Sequence, residues 1–312
     1  MKDSRIELGT RVVAHWTEGV NVTVCIAARC GNTIVCTSDR MISYGDVQYE
    51  PHRQKIASIT NSIVVMTAGD ASFTTLVVPY VMRAVEADIA NKPMEWIRVR
   101  DVVDYYVKYF LEFKLKFAEK ALLAPLGLTW NTFIDRQKTM DASLVKQLTG
   151  GMLDYVVPDC AVIIAGIDPD GQHIYTVEGA YVSAHDTIGF ASVGSGSRHA
   201  QSHFIQSRHS WQTPLSEGLL TSYVAKRRSE VAPGVGKETD IVLLGPNLGN
   251  NVLVSDDVKA RLDIEYLKIV AAEAAVADEA RLEIAKYVDS LTPAPDALPS
   301  EQAPEETEGT TP

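Results

Sequence analysis

Cysteine is scarce and its spacing forms no motif: the chain has Cys25, Cys30, Cys36 and Cys160, no CxxC pair, and small or β-branched neighbours around each thiol. They read as reduced core residues, which excludes a disulfide framework. Basic charge is also short, with 29 Lys and Arg against 40 Asp and Glu and a net charge of −11. Phosphate affinity comes from clustered Lys and Arg, so a general nucleic-acid binder is excluded. No apolar run approaches the roughly 18 to 20 residues that a helix needs to cross a bilayer, and Ile63-Val64-Val65-Met66 is broken at once by Thr67. The first twenty positions carry Lys2, Asp3, Arg5, Glu7 and Arg11 and lack the apolar core of a secretory signal. A cytoplasmic location is the expectation that these absences leave.

What is present is an ordinary globular composition over 312 residues, long enough to bury a core without metal or disulfide staples. Asp296, Glu301, Glu305, Glu306 and Glu308 fall in a terminal stretch with no Lys or Arg, so the body is less acidic than the total.

Two β-rich hairpins open the pattern, 22–30 with 33–37 around Gly31-Asn32, and 55–60 with 62–68 around Asn61. Helical spacing follows at Leu76, Tyr80, Val81, Ala84, Val85 and Ile89, with Pro79 inside it. It recurs at Val103, Tyr106, Val107, Phe110, Phe113 and Phe117. A less regular stretch runs to Pro158, and strands are predicted at 160–167, 173–178 and 187–193. Helices are predicted from Ser197 to Ser207 and from Thr213-Pro214, with Thr213 as N-cap. A strand at 240–244 and a long helix at 256–290 complete the body; 291–312, rich in Pro and Glu, cannot bury enough apolar surface to order itself. There is no βαβ alternation. The predicted fold class is α+β, a four-layer αββα sandwich of two antiparallel sheets between helix layers, with an additional C-terminal helix.

Several familiar motifs fail their own spatial requirements. Gly194-Ser195-Gly196 has His199 where a third dinucleotide glycine belongs, Gly236-Lys237 has Val231 and Glu238 where a phosphate loop needs Gly and Ser or Thr, and no GxSxG elbow exists. His199 and His203 stand four apart on a predicted helix but lack an adjacent Glu, so they read as surface histidines rather than a metal pair.

One constellation remains: Thr23 at the first strand, Asp39 in Ser38-Asp39-Arg40, Lys55 opening a strand, and Gly69 closing its hairpin partner. Taken singly, these are a strand threonine, half of a hairpin-end ion pair with Arg40, a solvated strand edge and a turn glycine. Taken together, their spacing, with Gly194-Ser195-Gly196-Ser197 in the second half, resembles the proteasome β-subunit family of N-terminal-nucleophile hydrolases, including the bacterial proteasome-like peptidases. The likeness spans about Val22 to Gly245.

The resemblance implies an N-terminal-nucleophile fold over 23–255 and a threonine peptidase that needs no cofactor or metal. Thr23 would be the nucleophile and its own free α-amine the base. Lys55 would place positive charge beside both, Asp39 would hold Lys55, Gly69 would offer its N–H to the oxyanion, and Ser195 would support the amine. It further implies peptide or unfolded-protein substrates, a homo-oligomeric ring or stacked assembly, and room for an ATPase or cap partner. Met41, Ser43, Val65 and Met66 are candidates for an apolar specificity pocket.

The chemistry requires residues 1–22 to be absent from the mature chain. Self-cleavage in the family usually follows Gly, whereas Val22 stands here; the other route is translation from a GTG codon at Val22. A catalytically silent subunit that keeps the extension, and an amidase of the same superfamily acting on a small non-protein amide, remain as alternatives. The family's Asp and Ser before the last strand have no match in register, Ser229, Glu230 and Gly234 being merely nearby. The stretch 115–155 is longer than the family's helix pair requires.

Overall fold

The computed structural model describes residues 23–44, 47–50, 55–158 and 160–291; the expected extension 1–22 and the tail beyond Leu291 lie outside them. In chain order the strands begin β1 (Cys25–Cys30), β2 (Thr33–Asp39), β3 (Ile42–Tyr44), β4 (Val47–Tyr49), β5 (Ile56–Ser58) and β6 (Ile63–Gly69). Helices α1 (Ala71–Asn91), α2 (Val99–Ala118), α3 (Trp130–Arg136) and α4 (Ala142–Leu153) follow. Next come β7 (Cys160–Asp168), β8 (Gly171–Glu178), β9 (Tyr181–Ala184), β10 (Phe190–Val193), α5 (Ser197–Gln206), α6 (Leu215–Ser229), β11 (Thr239–Leu244), β12 (Asn251–Leu253) and α7 (Asp256–Leu291).

The molecule is mixed α+β, with two five-stranded antiparallel sheets. One has the order β10-β1-β2-β11-β12 and the other β5-β6-β7-β8-β9. β3 and β4 form a separate ribbon.

Alternation along the strands explains the layering. Cys25 and Ala27 of β1, Ile34 and Cys36 of β2, Val64, Met66 and Ala68 of β6, and Ile163, Ala165 and Ile167 of β7 share one core between the sheets. The other face of the second sheet, Ile63, Val65, Val162 and Ile164, buries Phe73, Val77 and Val81 of α1 and Val102, Val103 and Tyr106 of α2. The other face of the first, Val24, Ile26 and Ala28, packs on Ala200 and Phe204 of α5 and Ala225 of α6. Each fully buried aliphatic or aromatic side chain contributes about 1.5–3 kcal/mol. α2 is started from a distance as well as locally, because Asp168 at the end of β7 accepts the Val99 N–H at 2.9 Å.

The main hairpins and the order of helices agree with the sequence reading, and three details correct it. The stretch to Pro158 carries two helices: Phe133 of α3 and Leu148 and Met152 of α4 pack with Ala118 and Leu123 into a small core of their own. The ribbon β3–β4, β9 and β12 are added strands, each of three or four residues and too short to show a period. Thr213 is not the N-cap of α6. Pro214 occupies that position without a side-chain cap, and the Thr213 hydroxyl instead accepts the Ser210 N–H at 3.1 Å.

Two compact units divide the chain, Met1–Leu262 and Asp263–Pro312. The described part of the second is the remainder of α7, in which no residue is buried. No described helix is long and apolar enough to cross a membrane.

Candidate active site

Thr23 stands two residues before β1 and is 1% exposed. The β1–β2 register sets Cys25 against Ser38, and the Asp39 N–H donates to Val24 O at 3.2 Å. This antiparallel step brings the two ends of the hairpin together and places the Asp39 carboxylate beside Thr23. The Thr23 hydroxyl donates to Asp39 Oδ1.

Lys55 comes from the other sheet, one residue before β5. Its Nζ donates to the Thr23 hydroxyl oxygen and lies 2.9 Å from Asp39 Oδ1. The side chains of Lys55 and Asp39 are 10% and 0% exposed, so the two charges compensate each other where neither is well solvated. Asp39 accepts from all sides: Oδ1 also takes the Val24 N–H at 2.9 Å, and Oδ2 takes the N–H groups of Met41 and Gly236, each at 3.0 Å. Five donors thus fix one carboxylate, and through it the hydroxyl and the ammonium.

Ser195 closes the third side, in the turn between β10 and α5. Its hydroxyl accepts the Thr23 N–H at 3.3 Å and faces two carbonyls, Pro233 O at 3.1 Å and Thr23 O at 3.3 Å. Glycine is required beside it. Gly194 has φ +96°, and a Cβ there would run into the Thr23 carbonyl. Ser229 at the end of α6, fully buried, donates to Gly196 O at 3.0 Å and so braces the same turn.

Gly69 is placed differently from the other four. It ends β6, two residues beyond Thr67, whose carbonyl accepts Cys25 Sγ at 3.5 Å from the opposing sheet. Ile167 N bonds Ser62 O and Ile59 N bonds Ile63 O, so odd-numbered residues of β6 turn their amides away from β7 and toward the β5 side. By that alternation the Gly69 N–H points to the side of the strand from which Lys55 enters.

The structure therefore brings Thr23, Asp39, Lys55 and Ser195 into direct contact and sets Gly69 at the end of the adjoining strand. Arg40 does not pair with Asp39. It takes Asp240 of β11 instead, with Nε 3.0 Å from each carboxylate oxygen. The expected apolar pocket fails in part, because Val65 and Met66 are fully buried on opposite faces of β6, in different cores. The Ser43 side chain lies outside the described residues.

Sequence reasoning misses Pro233, and takes Met41 only as pocket lining and Gly236 only as a failed phosphate loop; all three act through backbone atoms, which leave no residue-type signal. Ser229, Glu230 and Gly234 stand out of register with the family's Asp and Ser, so the spacing assigns them no role. Cys25, two residues from Thr23, is the other nearby candidate nucleophile; burial pushes its thiol up to about 12 although Lys55 pulls it down, so it stays protonated and unreactive. Among the described residues no three His, Cys, Asp or Glu side chains converge as a metal site.

An ammonium, a carboxylate and a serine around one hydroxyl can polarise that oxygen and hold the nitrogen of its own residue in place. If that nitrogen were a free amine, nucleophile and base would belong to a single residue. No family model matches the chain, and no curated protein matches it.

Proposed function

We propose that the chain is a threonine peptidase with the N-terminal-nucleophile fold, built as in the proteasome β-subunit family, and that Thr23 cleaves peptide bonds once residues 1–22 are gone. The observation that carries this reading is the contact of the Thr23 hydroxyl with both Lys55 and Asp39, while the nitrogen of the same residue lies 3.3 Å from the Ser195 hydroxyl.

In the proposed cycle Thr23 Oγ attacks the peptide carbonyl and its proton passes to the α-amine. The carbonyl oxygen becomes an oxyanion opposite the Gly69 N–H, which faces the β5 side of the strand. The amine returns the proton to the leaving nitrogen, the C–N bond breaks, and an ester remains on Thr23. Water, activated by the same amine, then releases the acid and restores the hydroxyl. Lys55 stabilises negative charge on Oγ, and Asp39 keeps Lys55 and Oγ aligned. Peptide or unfolded-protein substrates, a cytoplasmic homo-oligomeric ring or stack, and an ATPase or cap partner belong to the same proposal.

The experiment is direct. A chain made to begin at Thr23 should hydrolyse fluorogenic peptides, and the full chain carrying residues 1–22 should not. Equal inactivity of both forms in their assembled state would contradict the reading and favour a silent subunit.

A further inference from the structure

Lys226 of α6 is the one lysine among the described residues with no exposed surface. A buried ammonium is costly without partners, and burial lowers its pKa, opposed by Glu230 and more weakly by Asp39. Its Nζ donates to Glu230 Oε1 at 2.7 Å and to Lys237 O at 2.6 Å. Those partners stand at the two ends of the connection from α6 to β11. Between them the connection sends two groups into the site: Pro233 O accepts the Ser195 hydroxyl and Gly236 N donates to Asp39 Oδ2. Gly236 is held closely there, since a Cβ would meet Met41 Cβ at 2.9 Å and overlap the Glu50 carboxylate. Arg227 also reaches Glu230, at 3.2 Å. The second end has further holds in the Thr239 hydroxyl on Lys237 O at 3.4 Å and the Glu238 N–H on Glu50 Oε1 at 3.3 Å. Lys226 is the side chain that ties the two ends to each other.

We infer that Lys226 is a positioning residue for the Thr23 site, clamping 230–237 so that Gly236 and Pro233 hold Asp39 and Ser195. Nothing in the sequence pattern around the site assigns it this role. Its kinetic consequence rests on the peptidase reading, whereas the clamp itself does not. A buried ion pair adds little net stability over a well-packed apolar side chain of the same size. Lys226→Met removes one partner only, but Glu230 is partly exposed and keeps Arg227, so the cost to global stability should be modest while the connection that two site residues depend on is loosened.

Lys226→Met in the full chain is the test. Hydrogen exchange read over 231–238 should speed at least ~10-fold, with β1 unchanged and the thermal midpoint only modestly lowered. In the peptide-cleaving form kcat should fall ~10- to 100-fold with KM within about twofold, since small misplacements of catalytic groups cost that much. Unchanged exchange overturns the clamp, and faster exchange with unchanged kcat overturns the positioning role. If wild type cleaves no peptide, the peptidase reading fails and the exchange result alone decides the clamp. Should Lys226→Met not fold, Glu230→Gln replaces it, with a smaller acceleration over 231–238 expected and none contradicting the inference.

Discussion

The Thr23 nitrogen and the Ser195 hydroxyl meet at 3.3 Å across 172 positions of sequence. A short turn at the start of α5 thereby acquires a hold on the residue that begins the first sheet. Ser195→Ala should lower kcat about 10-fold by leaving that nitrogen unoriented, with little change in thermal stability because the turn keeps its Ser229 brace. Steady-state kinetics beside a melting curve check this. A large loss of stability with normal kcat would make the serine a folding element only.

Lys55 compensates a carboxylate that is wholly buried. Lys55→Ala should reduce turnover by about 10³-fold or more and, by stranding Asp39, cost about 3 kcal/mol. Denaturant titration and single-turnover kinetics read the two losses separately. Asp39→Asn, which keeps the shape and removes the charge, should lose turnover similarly because Lys55 is then the stranded ion.

Gly194→Ala tests the backbone. The added methyl group is directed at the Thr23 carbonyl in a conformation that L residues rarely adopt, so a destabilisation of about 2–4 kcal/mol is expected. Retained stability would mean that Thr23 can shift, and activity would then report by how much.

A titratable cluster lies at the other end of the second sheet. His173 Nδ1 sits 2.7 Å from Asp186 Oδ2 and Nε2 3.3 Å from Asp168 Oδ1. The hydrogen bond to Asp186 raises the His173 pKa against the opposing effect of burial. A raised histidine stabilises the fold fully below its unfolded pKa and loses that contribution as pH climbs through the higher folded value. His173→Gln should therefore lower the thermal midpoint more at about pH 5.5 than at about pH 8.5, where less of the charge that favours the fold remains. An equal loss at both pH values would remove charge from the explanation.

Much of the fold was legible because strand and helix periods are long where they matter. Cys25–Cys30 and Thr33–Asp39 are β-rich over their full length, and α1 and α2 present apolar residues at helical spacing over five turns or more. α3, at seven residues, is too brief to declare a face, and its cap is Thr129, whose hydroxyl accepts the Thr132 N–H. β3 and β4 are recognisable only as a pair. In the site, Thr23, Asp39 and Lys55 stand out through the family resemblance that their types and spacing carry, and Ser195 through the Gly194–Ser197 segment. The amides of Met41 and Gly236 and the carbonyl of Pro233 belong to no residue type, and a buried lysine such as Lys226 looks in sequence like any helical surface lysine.

A peptide epoxyketone gives the most direct test, since its two electrophilic centres close a ring only when a hydroxyl and a free amine belong to one residue. On the chain that begins at Thr23, intact mass and peptide mapping should find a single adduct joined to both Thr23 Oγ and Thr23 N, absent from Thr23→Ala. An adduct on another residue, or one that survives Thr23→Ala, would contradict the account.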